Sequence, residues 1–305
     1  MFKNFYISKV VLLTISFVFV NCADKKTKKT DIEQSEVKTL EEKLTSKIVY
    51  VSHLEDDLEI FVMDVNGNNA IQLTNNTAED MYPSWSHNGT KIAFLSDRNG
   101  EMGIYIMNAD GSEQKLIKAN TFAIPAWSNN DKKLLITEDI ENGRLLKTVN
   151  IENGIETLIN TGSKSDGYGK WASTGTYIVF ESNRDGDSEI YSVNTADSSH
   201  LKRLTENPNL DEWPSWSKDS KQIAYTSGVE GNKDIWIMNA DGTNKQKVTE
   251  DITIGDSFPS WSPDNKRIIF ATFTDNVAPE IYVIDIEQKS ITKLGNGSGP
   301  DWSPF

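Results

Sequence analysis

Four aspartates recur at one place in the sequence. Asp80, Asp166, Asp211 and Asp256 each stand three residues before the proline, or its glycine equivalent, of a Pro-x-Trp phrase. Phe122 and Gly297 take that place in the two other copies, while Tyr82, Ile124, Tyr168, Trp213 and Phe258 precede the proline position. Carboxylates brought together could receive Lys and Arg from a protein partner, or hold calcium through oxygen ligands. Each could equally accept backbone hydrogen bonds within its own loop. In the binding case the aromatics would be the anchors and the acidic rim would steer the partner.

Other chemistry has little material. The histidines are His53, His87 and His200, and no Gly-x-Ser-x-Gly elbow, His-Glu-x-x-His motif or Gly-rich phosphate loop occurs. The expectation is therefore no catalytic residue and no organic cofactor, with calcium in the channel as the alternative occupant. Paired carboxylates can perform acid and base work without histidine. A hydrolase or lyase acting on a glycan or peptide thus stands as the alternative function.

The chain has 305 residues, with 45 Asp and Glu against 31 Lys and Arg, for a net charge of −14. An acidic excess argues against sequence-independent nucleic-acid binding, which needs clustered cations. One cysteine, Cys22, excludes an intrachain disulfide and a Cys-based zinc site.

Lys3 and Lys9 precede an apolar run over residues 10–20, broken only by Thr14 and Ser16. Eleven helical residues would reach only about 16 Å, roughly half the hydrocarbon core of a bilayer, so a signal peptide over residues 1–21 is expected. Cys22 directly after that run resembles the lipobox of bacterial lipoproteins, which implies lipidation of its thiol, although Asn21 departs from the usual small residue. Residues 22–46 are polar, charge-balanced and free of aromatics, as a tether should be.

From residue 47 one phrase recurs, anchored at Trp85, Trp127, Trp171, Trp216, Trp261 and Trp302 with spacings of 42, 44, 45, 45 and 41 residues. That period fits four short strands and their turns. Apolar runs such as Ile92-Ala93-Phe94 and Ile268-Ile269-Phe270 suit strands covered on both faces. The reading is an all-β, six-bladed β-propeller of four-stranded antiparallel blades over residues 47–305. The first repeat lacks its own Trp-Ser strand and the last phrase stops after Trp302-Ser303, so the C-terminal strand should pair with the first blade and close the ring. The six register tryptophans should pack between blades, leaving Trp213, outside that register, as an exposed contact.

Phe258-Pro259-Ser260-Trp261-Ser262-Pro263-Asp264, Ser182-Asn183-Arg184-Asp185-Gly186 and Ile106-Met107-Asn108-Ala109-Asp110-Gly111 resemble the WD40-like PD40 repeats of TolB-type proteins. The resemblance implies a periplasmic protein of Gram-negative bacteria that binds a peptidoglycan-associated lipoprotein. Here only the tether separates Cys22 from the first blade, so the N-terminal domain of such proteins is not expected. The chain is read as a monomeric outer-membrane lipoprotein, periplasmic or surface-facing, touching the membrane through its lipid alone. Its expected partner is an envelope protein, met by Asp80, Tyr82, Asp166, Tyr168, Asp211, Trp213, Asp256 and Phe258.

Overall fold

The computed structural model describes residues 46–54, 57–250, 255–274 and 277–305. The expected signal peptide, Cys22 and the tether before Ser46 lie outside the described residues.

Twenty-four strands form six four-stranded antiparallel sheets. Blade 1 contains β1 (Lys47–Leu54), β2 (Asp57–Asp64) and β3 (Ile71–Gln72). Blade 2 comprises β4 (Asp80–Trp85), β5 (Lys91–Ser96), β6 (Gly103–Asn108) and β7 (Lys115–Lys118). Blade 3 follows with β8 (Ala126–Trp127), β9 (Lys133–Ile140), β10 (Gly143–Asn150) and β11 (Glu156–Leu158). In blade 4 the strands are β12 (Asp166–Trp171), β13 (Tyr177–Ser182), β14 (Glu189–Asn194) and β15 (Lys202–Arg203). Blade 5 has β16 (Leu210–Trp216), β17 (Gln222–Val229), β18 (Asn232–Asn239) and β19 (Gln246–Lys247). Blade 6 has β20 (Asp256–Trp261), β21 (Arg267–Thr272), β22 (Glu280–Asp285) and β23 (Ser290–Asn296), after which β24 (Ser298–Trp302) returns to blade 1.

The continuous apolar runs are explained by stacking. Val49, Ile60 and Val62 of blade 1 pack against Trp85, Ile92 and Phe94 of blade 2, and equivalent clusters fill the other five interfaces. Each register tryptophan belongs to one of these clusters, with Trp261 and Trp302 fully buried. Burying such a side chain contributes at least about 2 kcal/mol, as for other large apolar groups.

After four of the six register tryptophans the next residue, a serine, closes the turn. Ser86, Ser128, Ser217 and Ser262 hydroxyls accept the backbone N–H of Lys91, Lys133, Gln222 and Arg267 at 2.9, 3.0, 2.9 and 2.9 Å. The Asp-Gly hairpins carry a second constraint beyond positive φ. Gly111 (φ 84°) and Gly242 (φ 83°) lie so close to the preceding blade that a Cβ would meet the carbonyl oxygens of Leu73 and Leu204 at 2.7 and 2.9 Å.

Closure follows the same grammar. β24 pairs with β1 through Ile48 opposite Trp302 and Val49 opposite Asp301. The Lys47 N–H donates to the Ser303 hydroxyl at 2.8 Å and the Ser303 N–H to the Lys47 carbonyl at 2.9 Å. Deleting residues 300–305 removes Trp302 and part of this pairing. The melting temperature should fall by at least about 10 °C in a circular dichroism melt. An unchanged transition would contradict closure as a source of stability.

Candidate functional site

The loops that carry the four recurrent aspartates open at one mouth of the central channel, but the carboxylates do not face it. Asp80, Asp166, Asp211 and Asp256 are between 0% and 2% exposed. This corrects the expectation that carboxylates and aromatics share the rim. The physical reason is that each carboxylate stands within the first two residues of an inner strand and sits opposite a Ser or Thr of the second strand, namely Ser96, Ser182, Ser227 and Thr272.

Their partners lie in their own loops and in the turns that follow the second strands. The Arg98 guanidinium donates to both Asp80 oxygens at 3.0 and 2.9 Å, and Arg184 donates to Asp166 at 2.6 Å. Both arginines are further fixed by Ser96 and Ser182 hydroxyls and lie over the Tyr105 and Tyr191 rings at 4.8 and 4.7 Å. Asn76 and Asn207 donate side-chain N–H groups to Asp80 and Asp211 at 2.8 and 2.7 Å. Their backbone N–H groups donate to Glu59 and Glu189 at 2.6 and 3.0 Å, so these two buried carboxylates order the same loops. Among the described residues Asp211 has no arginine partner, and burial pushes its carboxyl up to about 6. Among the described residues, no group of three or more His, Cys, Asp or Glu side chains is placed to hold a metal ion. The aspartates therefore offer no shared calcium site there.

What reaches the mouth is aromatic. Between the aspartate and the register tryptophan, each inner strand of blades 2, 4, 5 and 6 shifts register against its neighbour. At these bulges Tyr82, Tyr168, Trp213 and Phe258 take φ values of 52°, 44°, 53° and 57°. Left-handed backbone costs a bulky residue roughly 1–2 kcal/mol. The bulge turns the side chain toward the axis, where the rings meet. Tyr168 stacks on Trp213 at 4.3 Å, and Trp213 meets Phe258 at 4.3 Å. Phe258 lies 6.0 Å from Tyr82 across blade 1, which has Gly299 at this level. Phe122 and Phe273, 46% and 37% exposed, extend the patch outward.

The preceding blade fixes two of these residues. The Tyr168 N–H donates to the Thr137 hydroxyl at 2.8 Å, and the Trp213 N–H donates to Glu181 at 3.3 Å. Arg144 lies over the Tyr168 ring at 5.2 Å and 3.5 Å from Glu181. Burial, reinforced by the charge of Glu212 and opposed by Arg144, pushes the Glu181 carboxyl up to about 7.

The aromatics and the channel behind them line a cavity of about 120 Å³. Lys170 and Asp301 line it at the level just before the tryptophans, and His87, Ser173 and Lys218 line it two residues beyond them. Sequence reasoning missed these groups together with Glu181 and Arg144. The one available signal was the departure of Lys170 and Asp301 from the small residues Ser84, Ala126, Ser215 and Ser260 at the same register.

Fold and mouth together define a closed six-bladed propeller that presents a single aromatic patch at one end of its channel. The chain belongs to the PD40 family, the TolB beta propeller domain, whose model matches residues 44–182 and 167–257. It is 29% identical over 118 residues to a Protein TolB homolog of Chlorobaculum tepidum, covering 38% of this chain and 27% of that protein. A Protein TolB homolog of Chlorobium luteolum is 26% identical over 147 residues, covering 48% of this chain and 34% of that protein. The matched stretches thus span about a third or less of these relatives. The crystal structure of TolB from Acinetobacter baumannii superposes with a TM-score of 0.75 at 18% identity, over 94% of this chain and 75% of that one, which establishes likeness of fold.

Glu181 gives the site a pH signature. Its folded pKa of about 7 lies above the ordinary 4.5, so the native state binds the extra proton and stability falls as pH rises between those values. Glu181→Gln should gain on wild type between pH 5 and 8, by up to on the order of 3 kcal/mol. Denaturant titrations at the two pH values measure this. A constant difference would show that Glu181 does not titrate there.

Proposed function

We propose that this protein is a non-catalytic binding propeller of the Gram-negative envelope, anchored to the outer membrane through lipidated Cys22. It docks a protein partner on the mouth formed by Tyr82, Tyr168, Trp213 and Phe258. The partner class that family membership suggests is a peptidoglycan-associated lipoprotein. Asp80, Asp166, Asp211 and Asp256 serve this binding as the buried supports of the loops that carry the aromatics.

The observation that carries the reading is the repeated left-handed backbone at four large aromatic residues. Strain of this kind gathers where structure is held for a purpose beyond folding. Tyr and Trp in a central, partly buried patch are the residue types that dominate binding energy at interfaces. The blade architecture alone would serve binding or catalysis equally, since function resides in the site rather than the fold.

Crosslinking capture from envelope extracts tests the docking surface. The Tyr168→Ala, Trp213→Ala, Phe258→Ala variant should lose partner recovery at least about 30-fold, the loss expected when one or more anchors of 2 kcal/mol are removed. Trp213→Gly, which suits the local φ, should keep the melting temperature within a few degrees while weakening capture. Undiminished capture by the triple variant would remove the mouth from the function, and turnover of envelope glycans by the purified protein would favour the hydrolase or lyase reading.

The anchor has its own test. Mass spectrometry of the mature protein should find an N-terminus at Cys22 carrying a lipid mass. An unmodified chain beginning elsewhere would exclude the lipoprotein.

A further inference from the structure

The chain as a whole is acidic, but its channel is not. All six inner strands run from the aromatic mouth toward the opposite face, so equivalent positions form layers around the axis. Lys170 of blade 4 and Asp301 of blade 1 occupy one layer and, three blades apart in a ring of six, face each other. Lys218 of blade 5 and His87 of blade 2 face each other in the same way one layer deeper. Asp301 is the one carboxylate among the residues lining the cavity.

That carboxylate is already engaged. One Asp301 oxygen accepts the Trp85 N–H at 2.7 Å and the other accepts the Ser260 hydroxyl at 2.9 Å, tying blade 1 to both neighbours. Neither channel lysine forms a salt bridge among the described residues. Lys218 reaches only the Trp302 carbonyl, at 3.4 Å. Loss of water pushes the Lys218 ammonium below its ordinary pKa, with Asp301 opposing and Lys170 adding to the fall. Burial likewise lowers His87, whose Nδ1 is buried without a hydrogen-bond partner.

A desolvated ammonium is costly, and here two lysines that repel each other share the single carboxylate of Asp301. An anion between them would reverse both effects. The cavity of about 120 Å³ has room for several waters or for a small carboxylate. Entry lies past the aromatic mouth.

We propose that the channel is a carboxylate-binding site in which Lys170 and Lys218 grip the anion, with His87 at its floor. The carboxylate is supplied either by a small free dicarboxylic acid or by an acidic side chain inserted through the mouth. This site does not depend on the docking role of the aromatics.

Thermal shift and calorimetry on the full-length protein test it, with two probes at fixed ionic strength. One is succinate. The other is a synthetic peptide carrying an aromatic residue beside two aspartates, compared with its asparagine counterpart. Wild type should be stabilised by succinate by 2 °C or more relative to chloride, or should bind the aspartate peptide at least tenfold tighter than the asparagine one. The first result assigns a free acid and the second a protein segment. Lys170→Met and Lys218→Met should each abolish the response. Without anion both variants should melt at or above wild type, because each removes one of two cations that share a single carboxylate. A drop well below wild type would mark these lysines as structural and count against the site. No response to either probe, or a response kept by both variants, would overturn the proposal. Succinate stabilisation should survive in the triple aromatic variant, so failure of the docking surface and failure of this site are read separately.

Discussion

Every blade in this protein is apolar on both faces, so none has a dry surface until its neighbours cover it. The mutual burial of neighbouring blades is the interaction on which everything else rests, and it is complete only when blade 6 meets blade 1. That meeting joins residues 256 positions apart, as between Lys47 and Ser303. Closing a loop of this size costs roughly 5 kcal/mol of chain entropy. Trp302, fully buried between Ile48, Ile269 and Ile281, offsets part of that cost, and the paired backbone of β1 and β24 leaves no inner edge open.

The rigid ring permits strain at the mouth. A left-handed tyrosine or tryptophan in an isolated hairpin would relax by slipping register. Here the bulge is held on one side by a buried aspartate network and on the other by the second strand of the preceding blade, through Thr137 and Glu181. The four recurrent aspartates thus shape the mouth from within, without facing it. The sign of the charge that a ligand meets is set by the few groups left unengaged, and inside the channel these are ammonium groups.

Much of the architecture was legible because it repeats. The tryptophan spacing, the Trp-Ser turns and the missing first strand each depend on local sequence, and together they determined the blade number and the mode of closure. The direction of the recurrent aspartates was not legible, because Asp80 facing solvent and Asp80 facing Ser96 and Arg98 have the same sequence. Nor were the bulges, in which one extra residue reverses the side of the strand on which Tyr82 or Trp213 emerges. Lys170 facing Asp301, and Lys218 facing His87, are relations across a ring and exist only once six blades have been arranged around one axis.

The bonds between Lys47 and Ser303 also settle where the polypeptide enters and leaves. Both points lie together at the Trp302 end of the inner strands, on the face of the ring opposite Tyr82, Tyr168, Trp213 and Phe258. Joining them with a short linker would yield a continuous circular chain that could be reopened in any outer hairpin, giving permuted versions of the same ring. A label or fusion placed at either end of the ring begins its path on the far face, which leaves the aromatic mouth free for surface immobilisation or for imaging with the binding side outward.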